Sequence, residues 1–175
     1  MTTAMAIDAA RAGAAEALSR EQFDLFYRAT AAQLRSYICR VSGNSTTADD
    51  ILQEAYLRLL NVSLAPEARK SYLYRTATNL IIDQRRAQAR RERWSWFMGR
   101  RAEGAESPVE LASDMDRLFA QIGQRERALL WLAYVDGADH QEIAAILGLR
   151  PGSVKVLLFR ARRKMESILR KHGYE

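Results

Sequence analysis

The chain has 175 residues, 48% of them hydrophobic and 27% charged, and a formal net charge of +6. This balance excludes wholesale disorder, and 9 Gly with 3 Pro leave little turn chemistry for a many-stranded β fold. A single cysteine, Cys39, excludes an intramolecular disulfide, and no run approaches the roughly 18 apolar residues of a membrane span.

The basic residues are mostly Arg, whose planar fork matches phosphates and guanine edges, so the charge points toward nucleic acid. A generally basic, solvated surface is the bland alternative, and the distribution of the charges decides between them. Residues 1–18 read as a loose, Ala-rich leader; Asp8, Arg11 and Glu16 interrupt it, so no signal peptide is expected and a cytoplasmic location is.

Ser19 with Gln22 three residues on has the form of a capping box opening a first helix. Phe23, Phe26, Tyr27, Leu34, Ile38 and Val41 follow at helical spacing until Gly43-Asn44-Ser45 breaks the pattern. Cys39 falls inside it as a small core or half-buried residue. A second helix is predicted from Thr46 or Thr47, with Asp49 and Asp50 complementing its dipole and Ile51, Leu52, Ala55, Tyr56, Leu59 and Leu60 as its apolar stripe. After a short loop, 61–66, a third helix runs from Pro66 to about Arg93. Trp94, Trp96, Phe97 and Met98 come next, then Gly99, Gly104, Ser107 and Pro108, which together read as a linker. The aromatic cluster either packs on the first domain, the commoner fate of large apolar groups, or occupies a groove on a partner.

Helical periodicity resumes from Leu111, and a helix from about Gln124 to Val135 stops at Asp136-Gly137. The strongest local signal lies in 139–164. Asp139 and Glu142 form a second capping box, and Ile143, Ala144 and Leu147 give a short helix its buried side. Gly148 supplies a sharp turn and Pro151 suits the first position of a new helix, with Val154, Leu157 and Leu158 facing inward. The outer face then carries Ser153, Lys155, Arg160, Arg163 and Lys164, suited to a major groove and its phosphates. Against the alternative of a helical hairpin with a solvated basic face, the cap, the proline and the basic row together favour a DNA-binding helix-turn-helix. The expected fold class is all-α: two small helical domains, 19–93 and 112–175, joined by a flexible linker over 94–111.

Two stretches resemble the extracytoplasmic-function (ECF) sigma factors of bacterial RNA polymerase, in the sigma-70 family. TADDILQEAYLR at 47–58 and SYLYRTATNLIIDQRR at 71–86 are similar to the family's region 2. QRERALLWL at 124–132, continuing through Gly148 to Arg163, is similar to region 4. The likeness spans about residues 19–172. It implies that Asp49, Asp50, Gln53, Glu54 and Leu57 dock on the polymerase. Tyr72, Tyr74, Arg75, Asn79, Asp83 and Arg86 would then face and open the −10 element. Ser153, Lys155, Phe159, Arg160 and Arg163 would read the −35 element. The implied partners are core RNA polymerase, promoter DNA and a sequestering anti-sigma factor, with no membrane insertion and no cofactor.

Aromatic side chains among arginines independently suit unstacked bases, and seven Arg against one Glu between Gln84 and Arg101 make a track for phosphates. Core packing is the competing role for Tyr72 and Tyr74 and is expected for one of them, and Asp83 could serve only to hold an Arg. Three departures from the family stand out. Arg150 replaces the usual Ser or Thr cap of the recognition helix, Gly123 stands where a proline is common, and the 61–66 loop lacks an aromatic to receive a flipped base. His140 and His172 have no partner at metal spacing, no phosphate-binding or nucleophile motif is present, and the chain is not expected to be an enzyme. The competing functions are a conventional helix-turn-helix regulator that binds duplex DNA unaided, and a module whose basic helices bind an acidic protein.

Overall fold

The computed structural model describes residues 18–98 and 114–174, and all regular structure there is helical. The helices are α1 (Arg20–Ser42), α2 (Ala48–Leu60), α3 (Pro66–Phe97), α4 (Asp114–Ala120), α5 (Gln124–Tyr134), α6 (His140–Leu147) and α7 (Pro151–Lys171). All of the expected leader but Leu18, most of the expected linker, and its acidic residues Glu103, Glu106 and Glu110 lie outside the described residues.

Local chemistry sets most of the boundaries. Ser19 Oγ accepts from the Gln22 N–H at 3.2 Å and Gln22 Oε1 accepts from the Ser19 N–H at 3.1 Å, closing the predicted capping box. The helix ends at Gly43, whose φ of +72° favours glycine and whose N–H reaches the Cys39 carbonyl at 3.0 Å. α1 buries Leu34, Tyr37, Ile38 and Val41, and α2 buries Ile51, Leu52, Ala55, Tyr56 and Leu59 against it. Tyr27, half out of the core, still rests on the Tyr56 ring, with centroids 4.8 Å apart.

α3 opens on Pro66, where the missing N–H costs no helical bond, and runs for 32 residues. It therefore passes the expected end near Arg93 and takes in Trp94, Trp96 and Phe97. Leu73, Tyr74, Ala77 and Ile81 are buried, but no residue of α3 beyond Ile81 is. From Ala89 to Phe97 the helix is an almost wholly exposed arm, and such an arm has no apolar stripe for sequence to reveal. Nor does the aromatic cluster pack on the first domain: Trp94, Trp96, Phe97 and Met98 are 67, 84, 78 and 59% exposed.

The second half contains the predicted helix-turn-helix. Asp139 Oδ1 accepts from the N–H groups of Gln141 and Glu142 at 2.7 and 2.8 Å, and Glu142 returns to the Asp139 N–H at 2.9 Å. Gly148, at φ +62°, turns the chain from α6 into α7. Val154, Leu158 and Ala161 are the buried face of α7.

The two halves pack on each other. α6 lies on α3 and α5 on α1, so one apolar core runs from Leu34 and Leu73 through Leu129 and Ile143 to Val154. A smaller cluster of Ile122, Leu130 and Ala161 ties α5 to α7. Asp136, just past the end of α5, bonds two of the three helices of the first half, α1 and α3. Its carboxylate, 2% exposed, takes Lys70 Nζ at 2.9 Å, the Tyr74 hydroxyl at 3.0 Å and Gln33 Nε2 at 2.9 Å. Arg40 and Asp116 form a second ion pair across the halves.

Candidate polymerase and nucleic-acid interfaces

Asp49, Asp50, Gln53 and Leu57 are exposed on α2, and Glu54 beside them is half-exposed. Their spacing of three and four residues puts them on one side of the helix, opposite its buried stripe. Arg35 holds Asp49 through two bonds, at 2.6 and 3.2 Å, and this hydrogen bond keeps the Asp49 carboxyl below its ordinary range. Glu54 pairs with Arg58 at 2.7 Å one turn on. Asp50 and Gln53 thus stand between two ion pairs, beside Leu57 and Leu60, which are 48 and 42% exposed. Two exposed leucines thus border a polar, largely acidic face. Leu60 was expected in the core stripe, but it sits one residue beyond Leu59 and so falls outside the buried arc.

On α3 the structure separates the two tyrosines. Arg75, Asn79, Asp83 and Arg86 are exposed, and half-buried Tyr72 lies on the same side, three residues before Arg75. Tyr74 is turned to the opposite side, 1% exposed, with its ring 5.1 Å from that of Tyr37. Tyr74 thus takes the core role expected of one of the two tyrosines, because helical geometry turns a residue two positions on by about 200°. Burial and the facing Asp136 carboxylate push its hydroxyl well above the ordinary range, so it remains a donor. Tyr37, which donates to or accepts from Thr78 at 2.7 Å, completes this buried polar group. Asp83 lies 3.8 Å from Arg86, with both side chains largely exposed.

On α7, Lys155, Phe159, Arg160 and Arg163 are exposed along one side, with Ser153 half-buried at its edge. Phe159 is 56% exposed, and Val156, not anticipated from the sequence, adds an apolar group at 50%. Ser153 Oγ donates to the Arg150 carbonyl at 2.7 Å. Arg163 also approaches Glu166 at 3.5 Å, but both side chains are largely exposed. Lys164, expected on this face, instead pairs with Glu126 of α5 at 2.7 Å. Burial raises the Glu126 carboxyl, but Lys164 and the Gly123 N–H together more than offset it and hold it below its ordinary range.

Sequence reasoning took Asp136 only as part of a helix-ending Asp-Gly pair, which carries no sign of its partners on other helices. No helix among the described residues is long and apolar enough to cross a membrane.

Both halves of the chain match models of known protein families. Residues 26–91 match the model of sigma-70 region 2, and residues 113–165 match that of sigma-70 region 4. The ECF RNA polymerase sigma factor SigL of Mycobacterium tuberculosis is 28% identical, over 94% of this chain and 98% of its own length. SigE of Mycolicibacterium smegmatis is also 28% identical, over 78% of this chain, which spans only 57% of that protein. The sigma factor RpoE of Bartonella quintana, solved in complex with the anti-sigma factor NepR, shares the fold at 19% identity with a TM-score of 0.70, over 86% of this chain and 98% of that one. Helices arranged as region 2 and region 4, in that order, with matches over both, place the chain among the ECF sigma factors of the sigma-70 family.

Proposed function

We propose a division of labour among the three faces. The α2 face, centred on Asp50 and Gln53 with Asp49, Glu54 and Leu57 around it, docks on core RNA polymerase. The α3 face of Tyr72, Arg75, Asn79, Asp83 and Arg86 engages the −10 element as it opens. The α7 face of Ser153, Lys155, Phe159, Arg160 and Arg163 enters the major groove at the −35 element. Tyr74 is left out, since it is committed to Asp136. Residues 19–93 and 112–175 act as the two functional units, in the cytoplasm where polymerase is found. A sequestering anti-sigma partner belongs to this reading because the α2 face is open to solvent and needs covering when the target genes are off.

The observation that carries the reading is α7. A short, doubly capped helix and a left-handed glycine hold it at a fixed angle, and its outward side is cationic with two apolar groups among the charges. Such a side suits phosphates, base edges and thymine methyl groups together.

Transcription by core polymerase from templates carrying a mapped −35 element tests it. Lys155→Ala and Arg160→Ala should each lower output, and a direct base contact is worth about 1–3 kcal/mol of discrimination. A residue that touches only phosphate should weaken all sequences alike and flatten the salt dependence. Undiminished output from both variants would refute the groove assignment.

A further inference from the structure

The α3 face assigned to the −10 element does not stop at Arg86. Positions 72, 75, 79, 83 and 86 continue as Arg90, Arg93 and Phe97, each three or four residues on, so they occupy one side of the helix. Trp94 sits at the margin of the same row. Between Arg86 and Phe97 the helix rises roughly 16 Å, the length of about five stacked nucleotides. Glu92, the acidic residue of this stretch, lies on the opposite side, where Gln88 Nε2 donates to it at 3.1 Å.

Trp94 and Phe97 are 67 and 78% exposed, and no part of the described chain covers them. Large apolar rings exposed together along a helix mark a contact surface. The arginines around them select its occupant. On a helix that lies on a lipid surface, cationic and apolar residues occupy separate sectors. Here Arg90, Arg93, Trp94 and Phe97 share a side. Alternating cations and flat rings match a single nucleic-acid strand, in which phosphates alternate with exposed base faces.

We propose that this end of α3 is a further DNA contact, in which Trp94 and Phe97 stack on unpaired bases of the opened promoter while Arg90 and Arg93 hold the adjacent phosphates. It extends contact beyond the bases reached by Tyr72 to Arg86, and it rests on the assignment of that face to the −10 element. Polymerase that carries this chain should therefore grip pre-opened DNA more strongly than the −10 face alone allows.

The test uses the full chain bound to core polymerase on a promoter with a pre-opened bubble. The double variant Trp94→Ala/Phe97→Ala should bind the bubble template at least about fivefold more weakly, the lower end of what one stacked base contributes. Its affinity for core polymerase without DNA should be unchanged. Abasic sites placed through the bubble should weaken the wild-type complex at one or two positions and leave the variant complex unaffected there. Arg75→Ala/Asn79→Ala serves as the reference. If that variant loses bubble binding and the aromatic variant does not, the stacking proposal fails while the −10 assignment stands. If neither loses binding, both fail. If the aromatic variant binds polymerase or anionic vesicles more weakly in the absence of DNA, the surface serves another partner and the proposal is overturned.

Discussion

At Gly123 the N–H donates to Glu126 Oε2 at 2.8 Å, and Lys164 reaches the same oxygen at 2.7 Å. A proline, common at this position in the family, has no N–H to give, so glycine keeps a hydrogen bond that also orients the acid tying α5 to α7. Arg150 is less well suited to its place. It sits at the N-cap of α7 in extended backbone, with no side-chain bond to the helix N–H groups, which leaves Pro151 as the sole local device there. Arg150→Ser should therefore raise stability by about 1 kcal/mol, the usual worth of a cap. Denaturant unfolding measures it; an unchanged or lower midpoint would mean that Arg150 holds the turn in some other way. Both capping boxes were legible in the sequence because each closes within three residues. Asp136 was not, since its partners Tyr74 and Gln33 lie 62 and 103 positions away.

Among the elements, α2 and α7 declared their exposed faces through a clean apolar stripe on the other side. α3 did so only as far as Ile81. Beyond that point no residue is fully buried, the period lapses, and Trp94 to Met98 looked like linker although α3 continues through Phe97. The split between Tyr72 and Tyr74 was half legible: spacing puts them on different sides but does not say which side is covered. The α2 face yields a direct prediction. Asp50→Lys/Glu54→Lys should weaken binding to core polymerase by tenfold or more, on the order of 1.4 kcal/mol, with helix content intact. Neither substitution touches the buried stripe of Ile51, Leu52, Ala55, Tyr56 and Leu59. The check is a polymerase titration beside far-ultraviolet circular dichroism; unaltered affinity would remove α2 from the docking surface.

At the scale of the whole molecule, the halves close on each other through a shared core and a buried carboxylate. Lys70, Tyr74 and Gln33 all converge on Asp136, so its removal leaves a buried hydroxyl without an acceptor and an ammonium without its counter-charge. A buried group stripped of its partner costs about 1–3 kcal/mol. Asp136→Ala should therefore loosen the halves before it unfolds either. The expected result is a single urea transition in the wild type and two in the variant, followed by tryptophan fluorescence and circular dichroism. A single transition at the same midpoint in both would show that the apolar contacts between α3 and α6 suffice alone. Sequence pattern predicted the two helical units and their order. It did not predict that they would share a core, because the apolar faces that meet between them read equally well as the interior of each.

On the proposed function, this chain recognises promoter DNA as a subunit of polymerase rather than by itself. The most direct measurement titrates the full chain onto promoter duplex with and without core RNA polymerase, at one fixed salt concentration. Weak, sequence-indifferent binding alone, turning into tight, promoter-specific binding and strand opening when core is added, is the result expected. Tight and sequence-specific binding by the isolated chain, unaltered by core polymerase, would contradict it and identify a conventional helix-turn-helix regulator instead.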